Sequence, residues 1–277
     1  MEQSLLYSSD VERILSKRHA QGGDYWATPD HNYLKGSPTS TISSALLLLE
    51  LGLSPTDPIL TTVASLLFGA QRPDGRFKLA PKGAIYPCQT IYATNALCHL
   101  GYAKDERMAK TLDYLLATQE ADGGWRCNKY FFGHGLETEY SNPFPTLIAL
   151  DAFRHTSYAN HDNYLDQAVL FLLNHWDIRL PIGPCHYGIG TLFMQIEYPF
   201  MTYNLFYYVY ILSFYCIAHQ DSRFLEALEV LESKLEDGQI VVKRTNRELA
   251  YYESFAKGKP SALGTKRYQE LKQNLNY

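Results

Sequence analysis

The chain has 277 residues, of which 46% are hydrophobic and 19% charged, enough apolar material for a large buried core, so a globular protein is expected. A formal net charge of -4 without any cluster of Lys and Arg excludes the footprint of a nucleic-acid or anionic-membrane binder, because neutralising phosphates takes grouped cations. Residues 1–10 lack a basic segment followed by a long apolar core, and the longest apolar run, 205–218, falls short of the ~20 residues that span a bilayer, so a cytoplasmic chain without a transmembrane segment is expected.

Helical periodicity dominates the remainder. Five helices charged on one face are predicted over 10–20, 57–70, 105–118, 162–175 and 221–234. Four begin at or near an Asp able to cap the free amides of the first turn. Their ends share a pattern: Gln21-Gly-Gly-Asp-Tyr-Trp26, Gln71-Arg-Pro-Asp-Gly-Arg-Phe77, Gln119-Glu-Ala-Asp-Gly-Gly-Trp125, and a decayed copy at 234–239. Glycine permits the left-handed turn that stops a helix. Gln71 lies 50 residues after Gln21 and Gln119 lies 48 after Gln71, a period that fits one helical hairpin with its connection.

Between these helices lie segments opened by proline, at Pro38, Pro87, Pro143, Pro199 and Pro260, and the first four read P-x-x-T. Proline suits the first helical turn, where its missing N–H has no partner to lose. The first four segments are nearly free of charge, which marks helices buried all round. Inner and outer helices that alternate at a fixed period bury each hairpin against its neighbours, so an all-α chain is expected. The simplest form is a single α/α toroid (barrel) domain over 1–277, with five hairpins and room for an incomplete sixth. The long outer-to-inner connections would then share one rim.

The turn at 119–125 and its variants at 21–26 and 71–77 resemble the QW-type repeat of the squalene-cyclase and protein-prenyltransferase superfamily. The pattern covers most of the chain. The 87–127 segment and the ending Gly258-Lys-Pro-Ser-Ala-Leu263 are similar to small prenyltransferase/squalene-oxidase-repeat proteins. This resemblance implies the toroid, an apolar small molecule or isoprenoid diphosphate as ligand, and prenyltransferase-like or cyclase chemistry if the chain is an enzyme. The superfamily's activity motifs do not accompany it: the sequence has no Asp-x-Asp-Asp acid motif, no Asp-rich magnesium motif and no Asp-x-Cys zinc pair.

A shared rim would gather His31, Cys88, Cys127, His134, Cys185 and His186. Zinc takes about four nitrogen or sulfur ligands in a tetrahedron, and Cys88, Cys127 and His134 with Cys185 or His186 are the expected set. Without a C-x-x-C or H-E-x-x-H pair, these residues equally fit ordinary loop and core positions. Trp125-Arg-Cys127 and Cys185-His186 are also faintly similar to the zinc segments of lanthionine cyclases, although one extra residue separates the first pair. Cys88 follows Pro87 at a helix start, where free amides favour a thiolate nucleophile; a small rim filler is the alternative.

Superposing the inner helices on their prolines places Tyr92, Asn95, Phe144, Phe200, Asn204, Tyr207 and Tyr268 on one face, expected to bind substrate. Asp151 and His155 share that face and are the expected acid/base pair, because burial would shift their titration. A lone buried acid also serves hydrogen-bond networks. The aromatic residues of 203–215 fit both an apolar cavity and core packing.

Overall fold

The computed structural model describes residues 7–127, 136–159 and 163–276. Among the described residues the chain forms ten α-helices and no strand, and pairing outside the helices is confined to isolated bridges. It divides into two compact units, Met1–Ala117 and Thr118–Tyr277. No helix among the described residues is long and apolar enough to cross a membrane.

The first unit contains α1 (Ser8–Ser16), α2 (Thr41–Glu50), α3 (Pro58–Gly69), α4 (Pro87–Leu97) and α5 (Glu106–Ala117). Sequence chemistry accounts for their starts. Asp57 accepts the Ile59 N–H at 2.9 Å just ahead of Pro58, while the hydroxyl of Ser40 accepts the Ser43 N–H ahead of α2, each satisfying an amide without a helical partner. Helix α5 buries Met108, Thr111, Leu112 and Leu115, the one-sided spacing of an outer helix. In contrast, nine of the eleven residues of α4 are buried. A short π turn at Cys98–Tyr102, with Gly101 at φ 89°, ends α4.

The first-unit turn motif is a fastener. The Gln71 amide donates to the Arg107 carbonyl and the Thr111 hydroxyl, both at 2.8 Å. Thr111 donates in turn to the Gly75 carbonyl at 2.7 Å. The motif that closes α3 is thereby bonded to α5. Phe77 is fully buried, worth about 1.5–3 kcal/mol for such a side chain. Its N–H donates to the hydroxyl of Thr90, the last residue of a P-x-x-T. Trp26, also fully buried, donates its ring N–H to the Ile14 carbonyl at 2.9 Å.

The second unit contains α6 (Pro143–Phe153), α7 (Asp166–Ile178), α8 (Leu205–Leu212), α9 (Ser222–Glu232) and α10 (Ala262–Asn274). All eleven residues of α6 and all eight of α8 are buried, and Asp151 of α6 is the one charged residue among them. Helix α8 packs against α6, α9 and α10, and α7 packs against α6 and α9. The turn motif recurs here in fuller form. Trp125 is buried and its N–H donates to the Thr146 hydroxyl at 3.0 Å, which itself donates to the Asn142 carbonyl at 2.8 Å. Asp122 accepts the N–H groups of Gly124 and Ser141. A Cβ on Gly123, where φ is 90°, would stand 2.2 Å from the Gln167 carbonyl oxygen. The threonine of P-x-x-T thus holds the turn and also lies in the first turn of a buried helix.

Several boundaries differ from the sequence reading: the helix expected over 10–20 is Ser8–Ser16, and the one expected to open at Pro38 starts at Thr41. The helix expected over 162–175 starts at Asp166 and runs to Ile178; Asp162, its expected first residue, lies outside the described residues. The helix expected to open at Pro199 starts at Leu205, six residues later. Asn204 caps it by accepting the Tyr207 N–H at 3.0 Å, whereas the Thr202 hydroxyl donates to Glu197 at 2.6 Å. Side-chain capping at Asn204 overrides the proline as the start signal.

Candidate functional site

The second unit holds a buried polar group inside an aromatic cluster. Asp151 lies in the last turn of α6 and is 4% exposed. One of its oxygens accepts from Arg154 Nε at 2.6 Å, and the other from the Tyr207 hydroxyl at 2.7 Å. Burial alone would lower the Arg154 pKa, but the charges of Asp151 and neighbouring groups raise it above its ordinary value. The guanidinium also lies 4.4 Å from the centre of the Phe214 ring and 5.5 Å from that of Tyr210. Removal of the Tyr207 phenol from water pushes its pKa well above the usual value, and the Asp151 charge adds to the effect. Tyr207 is therefore a fixed hydrogen-bond donor. Tyr210 extends the group by donating to Glu270 at 2.8 Å, which also accepts from Arg267 at 2.9 Å.

Rings surround this group. Phe200 stacks on Tyr207 at 4.7 Å and on Tyr210 at 5.3 Å, and meets Phe206 edge-on at 5.0 Å. Phe144 approaches Tyr207 at 6.5 Å and Tyr203 at 6.4 Å. Phe200 is only half-buried, so the stack continues from the interior to solvent. Such offset and edge-on pairs present both ring faces and ring edges to an apolar neighbour.

Three further groups bear on the site and were not singled out by sequence reasoning. His175 is fully buried on α7, stacks on Tyr203, and shares hydrogen bonds of 2.9 Å with the Tyr203 hydroxyl and 3.1 Å with the Leu180 carbonyl. Burial pushes its pKa down to about 4. Glu197 is 2% exposed and its pKa is raised by burial, against the opposing effects of Thr202 and of Arg244, 3.4 Å away. Arg154 completes the set. A charged residue within an otherwise apolar stretch was the available signal for Glu197 and Arg154. For His175 there was none, because it stands at the end of a helix read as outer.

The structure gathers some of the expected site residues. Phe144, Asp151, Phe200 and Tyr207 come together, and a ring nitrogen of His155 lies within 4.8 Å of an Asp151 oxygen. Asn204 instead caps α8. Tyr268 donates to Glu232 at 2.8 Å on α9, beside Lys272, which bonds the same oxygen at 2.7 Å. In the first unit, Asn95 is buried and Tyr92 partly buried on α4, and Cys88 is buried in its first turn.

The expected zinc ligands fare differently. His134 lies outside the described residues. Cys127 is buried, Cys185 half-buried and His186 exposed, and these three do not bring their ligand atoms within 4.8 Å of one another. The Cys185 N–H donates to the Asn142 side chain at 3.1 Å, a loop-fixing bond. Within the second unit, Asp151 and His155 offer two groups of the kind that bind metals, fewer than the four that zinc normally takes.

No protein-family model matches the chain. Over 75 residues it is 40% identical to the squalene-hopene cyclase of Alicyclobacillus acidocaldarius, a match covering 24% of this chain and 12% of that protein. The chain therefore matches only a small fraction of the relative's length. The likeness supports a terpenoid-cyclase-like relationship and nothing finer.

Proposed function

We propose that the chain is a squalene-cyclase-like α/α toroid that binds an apolar, isoprenoid-type ligand on the aromatic surface around Phe144, Phe200 and Tyr207. The toroid reading rests on the turn-motif repeat and on the segment similar to squalene-hopene cyclase. The observation that carries the binding reading is the partly exposed Phe200, stacked on two buried tyrosines whose hydroxyls are held by carboxylates. With the tyrosine rings buried beneath it, Phe200 is the part of the stack that meets an apolar ligand.

In this reading Asp151 orients Tyr207 and does not donate a proton. Both of its oxygens are engaged, one by a buried guanidinium, which favours the charged carboxylate over the acid needed to protonate an alkene. The missing Asp-x-Asp-Asp motif agrees with binding in place of cyclisation.

The test is titration with farnesol and with geranylgeranyl diphosphate, followed by intrinsic fluorescence and by product analysis. Saturable binding that weakens at least tenfold in Phe200→Ala, with no new product, is expected. Absence of saturable binding by the wild-type chain defeats the reading. A cyclised or transferred product that depends on Asp151 would replace it with an enzymatic one.

A further inference from the structure

The first unit contains a solvent-open cavity of about 290 Å³, lined in part by His31, Tyr33, Arg72 and Lys78. It forms where the chain leaving α3 meets the connection between α1 and α2. Gly69, Ala70 and Ala80 form small walls, so the longer side chains project across little intervening bulk. The volume lies at the lower end of the range for small-molecule sites.

The charges in and around this cavity are unusual for the unit. Most arginines near its turns are neutralised locally: Arg18 pairs with Asp24, Arg76 with Asp74 at 2.7 Å, and Arg107 with Asp105 at 2.7 Å. By contrast, among the described residues the side chains of Arg72 and Lys78 have neither an ion pair nor a hydrogen bond. Asp74, two residues from Arg72, is already committed to Arg76.

Asp30 is the one acid in the lining. Its carboxylate accepts from the Thr28 hydroxyl at 2.6 Å, and the charges of Lys82 and Lys35 also reach it. Lys35 and Lys82 thus act on the Asp30 carboxylate, while Arg72 and Lys78 stand in the lining itself. A concavity with an unneutralised guanidinium and ammonium attracts anions. A planar guanidinium fork beside a point-charge ammonium matches the several oxygens of a phosphate group. Tyr33, 7% exposed, and His31 add polar groups to the same wall.

We propose that this cavity is a binding site for the phosphate group of a small phosphorylated molecule, held by Arg72 and Lys78. It is separate from the aromatic surface of the second unit, and the proposal does not depend on what that surface binds.

Calorimetric titration of the full chain with inorganic phosphate and pyrophosphate at low ionic strength tests it. Saturable binding is expected, at least tenfold weaker in Arg72→Gln/Lys78→Gln and unchanged in Arg76→Gln, whose arginine is already paired. Circular dichroism checks that the variants fold; both substituted side chains lie outside the core. No binding by the wild-type chain, or equal binding by the double variant, overturns the proposal. Vesicles of phosphatidylcholine with and without phosphatidic acid identify the source. Capture by the anionic vesicles that the double variant loses assigns the phosphate to a lipid headgroup, whereas pyrophosphate binding without vesicle capture assigns it to a soluble molecule.

Discussion

Acidification should destabilise the second unit through His175. In the fold this imidazole is fully buried, between Tyr203 and the Leu180 carbonyl, and its pKa falls from 6.5 to about 4. A depressed histidine is neutral in the native state and accepts a proton more readily once unfolded. Its contribution is complete above pH 6.5 and is lost as pH falls toward 4. The difference of roughly 2.5 pKa units corresponds to about 3 kcal/mol, of which about 2.5 kcal/mol is gone by pH 4.5. Glu197 acts in the opposite direction, because burial raises its pKa and protonation relieves the strain of a buried charge. The comparison is therefore made between wild type and His175→Gln. Urea unfolding at pH 7 and pH 4.5, read from the fluorescence of Trp176 beside His175, should show wild type losing about 2.5 kcal/mol more than the variant. Equal losses in the two proteins, or a His175 ring titrating near 6.5 by NMR, would refute the reasoning.

Other substitutions probe the fastener and the buried ion pair. Gly123→Ala places a Cβ against the Gln167 carbonyl at a positive φ and should cost more than about 3 kcal/mol in thermal or urea unfolding. Thr146→Val removes the acceptor of the Trp125 N–H and should cost about 1–3 kcal/mol, with Thr146→Ser recovering most of it. Arg154→Met leaves the Asp151 charge without its guanidinium and should destabilise by about 3–5 kcal/mol, whereas Tyr207→Phe, which removes one hydroxyl bond to the same carboxylate, should cost about 1–3 kcal/mol by the same measurement.

Much of the helical plan was legible in the sequence because it depends on local spacing. Charge on one side of 105–118 and its absence from 143–150 separate the half-buried α5 from the wholly buried α6. Asp57, Asp105 and Asp221 each accept an N–H two residues on, as capping chemistry requires. The late start of α8 was not legible, since both Pro199 and Asn204 are valid start signals, and the choice depends on which side chain is free to cap. In the same way, the P-x-x-T threonines read as helix starts, while their bonds to Phe77 and Trp125 join residues 13 and 21 positions apart.

The candidate site divides along the same line. Helical spacing placed Phe144 and Asp151 on one face of α6, and Phe200 and Tyr207 near them at the next proline segment. Spacing also placed Asn204 and Tyr268 there, yet one spends its side chain on a cap and the other on Glu232. The sequence by itself determined helix type, turn chemistry and which segments must be buried, because periodicity and capping act within a few residues. Only the tertiary structure decided that Asp151 meets Arg154 and Tyr207, that His175 is enclosed, and that Arg72 and Lys78 share one cavity without an ion pair to either, because side-chain partnership is set by contacts between distant segments.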